Sequence, residues 1–144
     1  MQCEPIIAGK FIEKVIPYID TARQQIDICV FDWRWYPNDP GAPAQKFNQA
    51  IVEAIKRGVK VRALVNNENV AANLRAVGAE VKRHVSSHLL HCKVMIIDDE
   101  VIITGSHNYT QSAMTANCEL SVILSEGVDT SEFSKYFINL WQNQ

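Results

Sequence analysis

The sequence predicts an α/β domain in which a mixed, largely parallel sheet is flanked by helices. Two observations carry that expectation: short β-branched segments alternate with amphipathic segments of helical period, and Gly, Pro or Asn stands at most junctions between them. Residues 9–24 place Phe11, Ile12, Val15, Ile16, Ile19 and Ala22 at helical spacing, with Pro17 calling for a kink or a later start. Residues 26–31 form a β-branched and aromatic strand. It runs into DWRWYPNDPGAP, residues 32–43, whose three prolines and one glycine forbid regular structure.

A helix is expected over residues 44–57, with Phe47, Ala50, Ile51, Ala54 and Ile55 on one face and the basic pair Lys56-Arg57 closing it before Gly58. Residues 59–65 read as a second strand. Asn67 caps a helix reaching about Val77, closed by Gly78, ahead of a short strand over residues 80–83. This strand–helix–strand–helix–strand order implies parallel pairing through right-handed crossovers. Residues 91–97 and 101–104 flank Asp98-Asp99-Glu100 with the spacing of a hairpin, residues 118–124 read as a strand, and residues 131–141 as a closing amphipathic helix.

With 144 residues the chain holds one hydrophobic core, so residues 1–144 are read as a single domain. At this size folding buries roughly 70% of the unfolded surface, and neither a disulfide nor a structural metal is needed. Cys3, Cys29, Cys92 and Cys118 form no C-x-x-C pair, which argues against a zinc ribbon or a thioredoxin-type site. No apolar run approaches the roughly 20 residues of a spanning helix, and no basic-then-apolar leader is visible. A cytoplasmic protein without a membrane anchor is the expectation.

The net charge of −2 hides an asymmetry. Between Lys56 and Lys93, eight bases (Lys56, Arg57, Lys60, Arg62, Arg75, Lys82, Arg83 and Lys93) face only Glu68 and Glu80, a net +6. A polyanion is expected to meet this middle segment. Lys56, Arg57, Lys60 and Arg62 are candidate substrate contacts for backbone phosphates, the alternative being a solvated helix end and strand. Trp33 and Trp35, with Tyr36 and Arg34, either stack on bases of a single strand or pack their loop onto the core.

The chemistry concentrates in residues 91–110. On a strand His91 and Lys93 point the same way, so a nucleophile or base sits beside a fixed positive charge. Ser106 and Asn108 repeat the two-residue spacing after Gly105, which lets the backbone approach closely. Together these side chains offer one group that attacks or donates a proton and three that hydrogen-bond phosphate oxygens. His84, His88, His91 and Cys92 match no common closed zinc site. His107 alternates away from its neighbours and is given no role.

His91, Lys93 and Asp98, followed by Gly105, Ser106 and Asn108, resemble the H-x-K-x4-D and G-S-x-N signature of the phospholipase D superfamily, and Asn117-Cys118-Glu119 is similar to its N-x-E element. The resemblance implies a phospholipase D-like sandwich and a phosphodiesterase that works through a phosphohistidine, with no cofactor and no metal. His91 would be the nucleophile in one subunit and the general acid/base in the other. Lys93, Asn108 and Ser106 would hold the phosphoryl oxygens, and Glu119 would orient a histidine Nδ1–H, within the chain or across an interface. Asp98 and Gly105 are read as structural, Asp98 bonding the backbone of its turn.

The single H-x-K motif resembles that of small bacterial endonucleases of the superfamily, which implies a homodimer sharing one active site. Endonucleolytic hydrolysis of DNA or RNA is therefore the expected function. Phospholipid hydrolysis or transfer is the enzymatic alternative, and would call for an apolar access surface or an anchor that the sequence does not reveal. A non-catalytic nucleic-acid-binding module is the third reading; it would have no use for the nucleophile.

Overall fold

A computed structural model describes all of residues 1–144. The chain forms β1 (Gln2–Ile7), a 3-10 turn (Ala8–Lys10), α1 (Phe11–Asp20), β2 (Gln25–Val30), α2 (Pro43–Lys56), β3 (Lys60–Val65), α3 (Glu68–Ala76) and β4 (Glu80–Arg83), then β5 (Lys93–Ile97), β6 (Val101–Gly105), α4 (Gln111–Thr115), β7 (Leu120–Ser125) and α5 (Ser131–Gln142). Seven strands make one open sheet in the order β1-β7-β6-β5-β2-β3-β4.

The mixed sheet flanked by helices is as expected, but its balance differs. Only β2–β3 and β3–β4 are parallel, whereas β2–β5, β5–β6, β6–β7 and β1–β7 are antiparallel. The helical crossovers α2 and α3 give the parallel third; a three-residue link between β5 and β6 permits only a hairpin. Asp98 and Asp99 turn that hairpin with φ of 54° and 53°, and Glu100 N–H donates to Ile97 O at 2.9 Å, the pattern of a type I′ turn. β1 and α4 carry no pattern that predicts them. In β1 only Ile6 is buried, and Pro5 is tolerated because the strand is at the edge.

Pleating divides the apolar side chains between two faces. Ile26, Ile28, Met95, Ile97, Ile103 and Ile123 lie with Phe11, Val15, Phe47, Ile51, Val70 and Leu74 from the helices, so α1 to α4 cover one face. Cys29, Leu64, Ile96 and Ile102 lie with Phe137, so α5 covers the other. α1 continues through Pro17 with Phe11, Val15 and Ile19 buried, neither starting late nor stopping there. Asn67 caps α3 by accepting from Val70 N–H at 2.8 Å. No helix is long and apolar enough to cross a membrane.

The register sorts the loops between the two ends of the sheet. Val30 pairs with Lys93, Val94 with Thr104, Gly105 with Ser121 and Leu120 with Ile7 at one end. Gln25 pairs with Lys60 and Ile97 with both Ile26 and Val101 at the other. The ends are roughly 17 Å apart, at about 3.3 Å for each residue of β2.

Candidate active site

The end of the sheet marked by Val30, Lys93 and Gly105 gathers the polar residues singled out from the sequence. β5 begins at Lys93, so His91 stands just before the strand rather than on it. Lys93 Nζ nevertheless lies 3.2 Å from His91 Nδ1 and 3.4 Å from Nε2, and donates to His91 O at 2.9 Å. Phe31 is the platform for both: its ring centroid is 4.8 Å from that of His91 and 5.5 Å from Lys93 Nζ. His91 remains exposed to solvent, open to an incoming phosphate.

Phe31 and Asn66, which belong to no motif of the sequence, hold this segment. Phe31 N–H donates to Cys92 O at 2.9 Å, extending the β2–β5 ladder by one step. Asn66, at the end of β3, donates its side-chain amide to Phe31 O at 2.8 Å and to Leu90 O at 2.9 Å. No local pattern marks Asn66 for this role, since its two acceptors are 35 and 24 residues away.

β6 delivers the second group. A side chain on Gly105 would overlap Ser121, so only glycine lets β6 and β7 close here. Ser106 Oγ donates to Glu119 Oε1 at 2.6 Å and accepts from Leu120 N–H at 3.0 Å, while Asn117 Nδ2 donates to Glu119 Oε2 at 3.1 Å. Asn108 Oδ1 accepts from Asp32 N–H at 3.1 Å, which turns its amide nitrogen away as a spare donor.

His107 is buried against Phe11, with ring centroids 5.0 Å apart. Its Nε2 is 2.8 Å from Ala8 O, which can only accept, so the proton is on Nε2 and Nδ1 accepts from the Ser121 hydroxyl at 2.7 Å. This unassigned histidine thus pins the Ser106–Asn108 loop to the 3-10 turn after β1.

Several expectations are corrected. Neither Glu119 oxygen bonds a histidine of its own chain, both being held by Ser106 and Asn117, so only the form of that expectation across an interface stays open. Asp98 lies at the opposite end of the sheet and bonds not its own turn but the chain entering β2, accepting from Arg23, Gln24 and Gln25 N–H at 2.9, 2.7 and 2.9 Å. Burial pulls its pKa upward, yet these three donors and the nearby Arg23 charge outweigh that, leaving the carboxyl below its ordinary range.

The basic run is corrected as well. Lys56, Arg57 and Lys60 cluster at the end away from His91, where Arg57 donates to Ile19 O and Ala22 O at 2.9 and 3.3 Å. Lys56 pairs with Glu53 and Lys60 with Glu80. Arg62 makes a two-pronged ion pair with buried Asp27, both bonds 2.7 Å, under the rings of Phe137 and Trp141. Residue counting along the chain cannot say which end of a strand a charge occupies.

Trp33 is 1% exposed, packs on Phe47 and Tyr109, and donates from Nε1 to Asn48 Oδ1 at 2.7 Å. It is core, not a stacking surface. Trp35 is half-buried and packs against the same core.

Chemically, the cluster presents an exposed imidazole beside an ammonium, with an amide donor and a hydroxyl–carboxylate pair on the adjoining loop. That set suits a nucleophile and an oxyanion site for a phosphoryl group. No three His, Cys, Asp or Glu side chains converge as metal ligands.

A family profile described as "Cardiolipin synthase, PLD-like domain" matches residues 15–141. The mitochondrial cardiolipin hydrolase of Chlamydomonas reinhardtii is 28% identical over 145 residues, an alignment covering 96% of this chain and 61% of that protein. The chain spans between 50% and 61% of the length of the curated relatives it matches. Among solved structures, NucT from Helicobacter pylori superposes with a TM-score of 0.78 at 17% identity, covering 98% of this chain and 96% of its own. Nuc from Salmonella typhimurium, a phospholipase D family member, superposes with a TM-score of 0.79 at 23% identity, covering 98% and 95%. At these identities the likeness is one of fold.

Proposed function

The chain belongs to the phospholipase D-like family, and from that premise we propose that it is a metal-independent phosphodiesterase that cleaves nucleic acid internally. The observation that carries the reading is the contact between Lys93 Nζ and the exposed His91 imidazole, at 3.2 Å, on one open end of the sheet. His91 attacks phosphorus, a P–N bond forms and the P–O bond to the leaving group breaks. A second histidine gives the leaving oxygen its proton, then takes one from the water that hydrolyses the phosphohistidine. Lys93 and the Asn108 amide neutralise the phosphoryl oxygens, and Ser106 aids them.

The two histidines must begin in opposite protonation states, and the chain has one H-x-K motif. A twofold dimer supplies the second His91 from its other copy. Each Glu119 oxygen accepts one bond within its chain and keeps a free lone pair, so Glu119 is able to receive the Nδ1–H of the other copy's His91. The two Nuc structures share this fold over nearly the whole chain, as the nuclease reading requires.

A second reading, phospholipid hydrolysis, is favoured by the cardiolipin hydrolase relatives and by an apolar surface that the sequence conceals. A groove of about 290 Å³ between β5 and α5 is bordered by Cys92, Val94, Phe133, Tyr136 and Leu140, and Val85, Leu89, Ile7 and Leu120 are exposed.

The test is cleavage of supercoiled plasmid, single-stranded DNA, RNA and cardiolipin vesicles in excess EDTA, with purified His91→Ala in parallel and sedimentation of both. Nucleic-acid cleavage that survives EDTA and disappears in the variant is expected from a dimer. Turnover of lipid alone overturns the nuclease reading, and an active monomer overturns the shared site.

A further inference from the structure

Beside the phosphoryl cluster, the loop after β2 and the start of α3 enclose a cavity of about 460 Å³, bordered by Asp32, Arg34, Trp35, Tyr36, Asn67 and Asn69. It is joined to the cluster through the backbone. Asp32 N–H holds Asn108 Oδ1, Tyr109 N–H donates to Asp32 O at 3.0 Å, and Arg34 N–H donates to Tyr109 O at 3.0 Å. A ligand in the cavity therefore lies next to whatever the Asn108 amide binds.

The loop has little regular structure, yet it is held as firmly as a strand. Buried Trp33 anchors it through Asn48, whose Nδ2 also donates to Arg34 O at 3.0 Å. Gln45 Oε1 accepts from Tyr36 N–H at 2.7 Å, Tyr36 OH accepts from Gln111 N–H at 2.8 Å, and Asn67 Nδ2 donates to Trp33 O at 3.4 Å. Arg34 is exposed and takes no part in the core, whereas half-buried Trp35 packs against it from the cavity side. A cavity of this size, preorganised by so many bonds, binds with little ordering cost.

Its lining defines the ligand. Trp35 and Tyr36 offer aromatic surface for a flat ring, while the Asn69 amide nitrogen offers a donor and the Asp32 carboxylate acceptors for the edge of that ring, the Asn67 amide being engaged by Val70 N–H and Trp33 O. The Arg34 guanidinium, 66% exposed and only loosely paired with Asp32 at 3.4 Å, weighs against a cationic headgroup and suits a heterocycle attached to phosphate. A base within a duplex has its faces stacked and its edge paired, so only an unpaired base can enter.

We propose that this cavity is a subsite for one unpaired nucleobase adjoining the phosphate held at His91 and Lys93, so that the protein selects single-stranded nucleic acid. The proposal rests on the nucleic-acid reading above. The test is fluorescence anisotropy with a labelled phosphorothioate oligothymidylate and an abasic strand of equal length, on wild type, Trp35→Ala, Trp35→Phe and Arg34→Gln. Hydrolysis of bis(p-nitrophenyl) phosphate, which has no base, is measured on each.

Wild type is expected to bind the base-bearing strand about tenfold or more tightly than the abasic one, Trp35→Ala to lose that gap, and Trp35→Phe to keep most of it. Arg34→Gln should narrow it, and all variants should hydrolyse the small ester at the wild-type rate. Equal affinity of wild type for the two strands, or an undiminished gap in Trp35→Ala, overturns the subsite. A base-dependent gap in a protein that hydrolyses no phosphodiester supports the subsite and overturns the enzymatic reading instead.

Discussion

Ser106 Oγ donates a 2.6 Å hydrogen bond to Glu119 Oε1, joining the end of β6 to the residue before β7 across 13 positions of sequence. The bond fixes the hydroxyl and the carboxylate as one unit at the end of the sheet that carries His91. Its second anchor, Leu120 N–H to Ser106 Oγ at 3.0 Å, leaves the serine little freedom to act alone.

Coupled groups are expected to fail together. Ser106→Ala and Glu119→Ala should each lower kcat by about 10²-fold with little change in KM, on the scale of losing one preorganised donor. The double variant should be about as impaired as the worse single one, because each change already breaks the shared bond. Steady-state kinetics of the three variants checks this; additive losses would mean that the two residues act independently.

Asp98 leads to a prediction about acid stability. Its folded pKa is depressed below the ordinary 3.8, so its three bonds to the chain entering β2 stabilise the fold fully above that value and are lost as pH falls through the folded pKa. Asp98→Ala should cost about 1–3 kcal/mol at neutral pH and flatten the stability profile below about pH 4. Urea melts across that range measure both effects. Activity per folded molecule should hold, since Asp98 lies at the far end of the sheet from His91.

Arg62 gives a prediction that separates charge from fold. Asp27 is 3% exposed and Arg62 17%, so Arg62→Ala strands a buried carboxylate and should destabilise by about 3–5 kcal/mol. Replacing both residues with Leu should recover much of that loss. Affinity of the folded protein for a nucleic acid should be unchanged in either variant, as judged by salt titrations; a fall in the salt slope would restore Arg62 as a phosphate contact.

Much of the fold was legible because it is local. Helical period places α1, α2, α3 and α5, the Asp98-Asp99 turn places the β5–β6 hairpin, and Asn67 marks the start of α3. β1 was not legible, because an edge strand with one buried residue has neither alternation nor a continuous apolar run. The two-residue spacings His91-Lys93 and Ser106-Asn108 named the groups that gather at one end, whereas Phe31, Asn66 and His107 support them through bonds that no spacing announces.

The sequence by itself determined the local conformations, the family signature and the kinds of chemical group available, since these depend on residue type and on neighbours a few positions away. Tertiary structure decided which groups meet. It made the sheet mostly antiparallel, carried Lys56, Arg57 and Lys60 to the end away from His91, turned Arg62 and Trp33 inward, and opened a cavity between residues 32–36 and α3. The physical reason is that strand register and packing are settled by contacts between distant segments, such as Asp98 with Arg23 across 75 residues, whose free energy belongs to the assembled sheet and not to either segment alone.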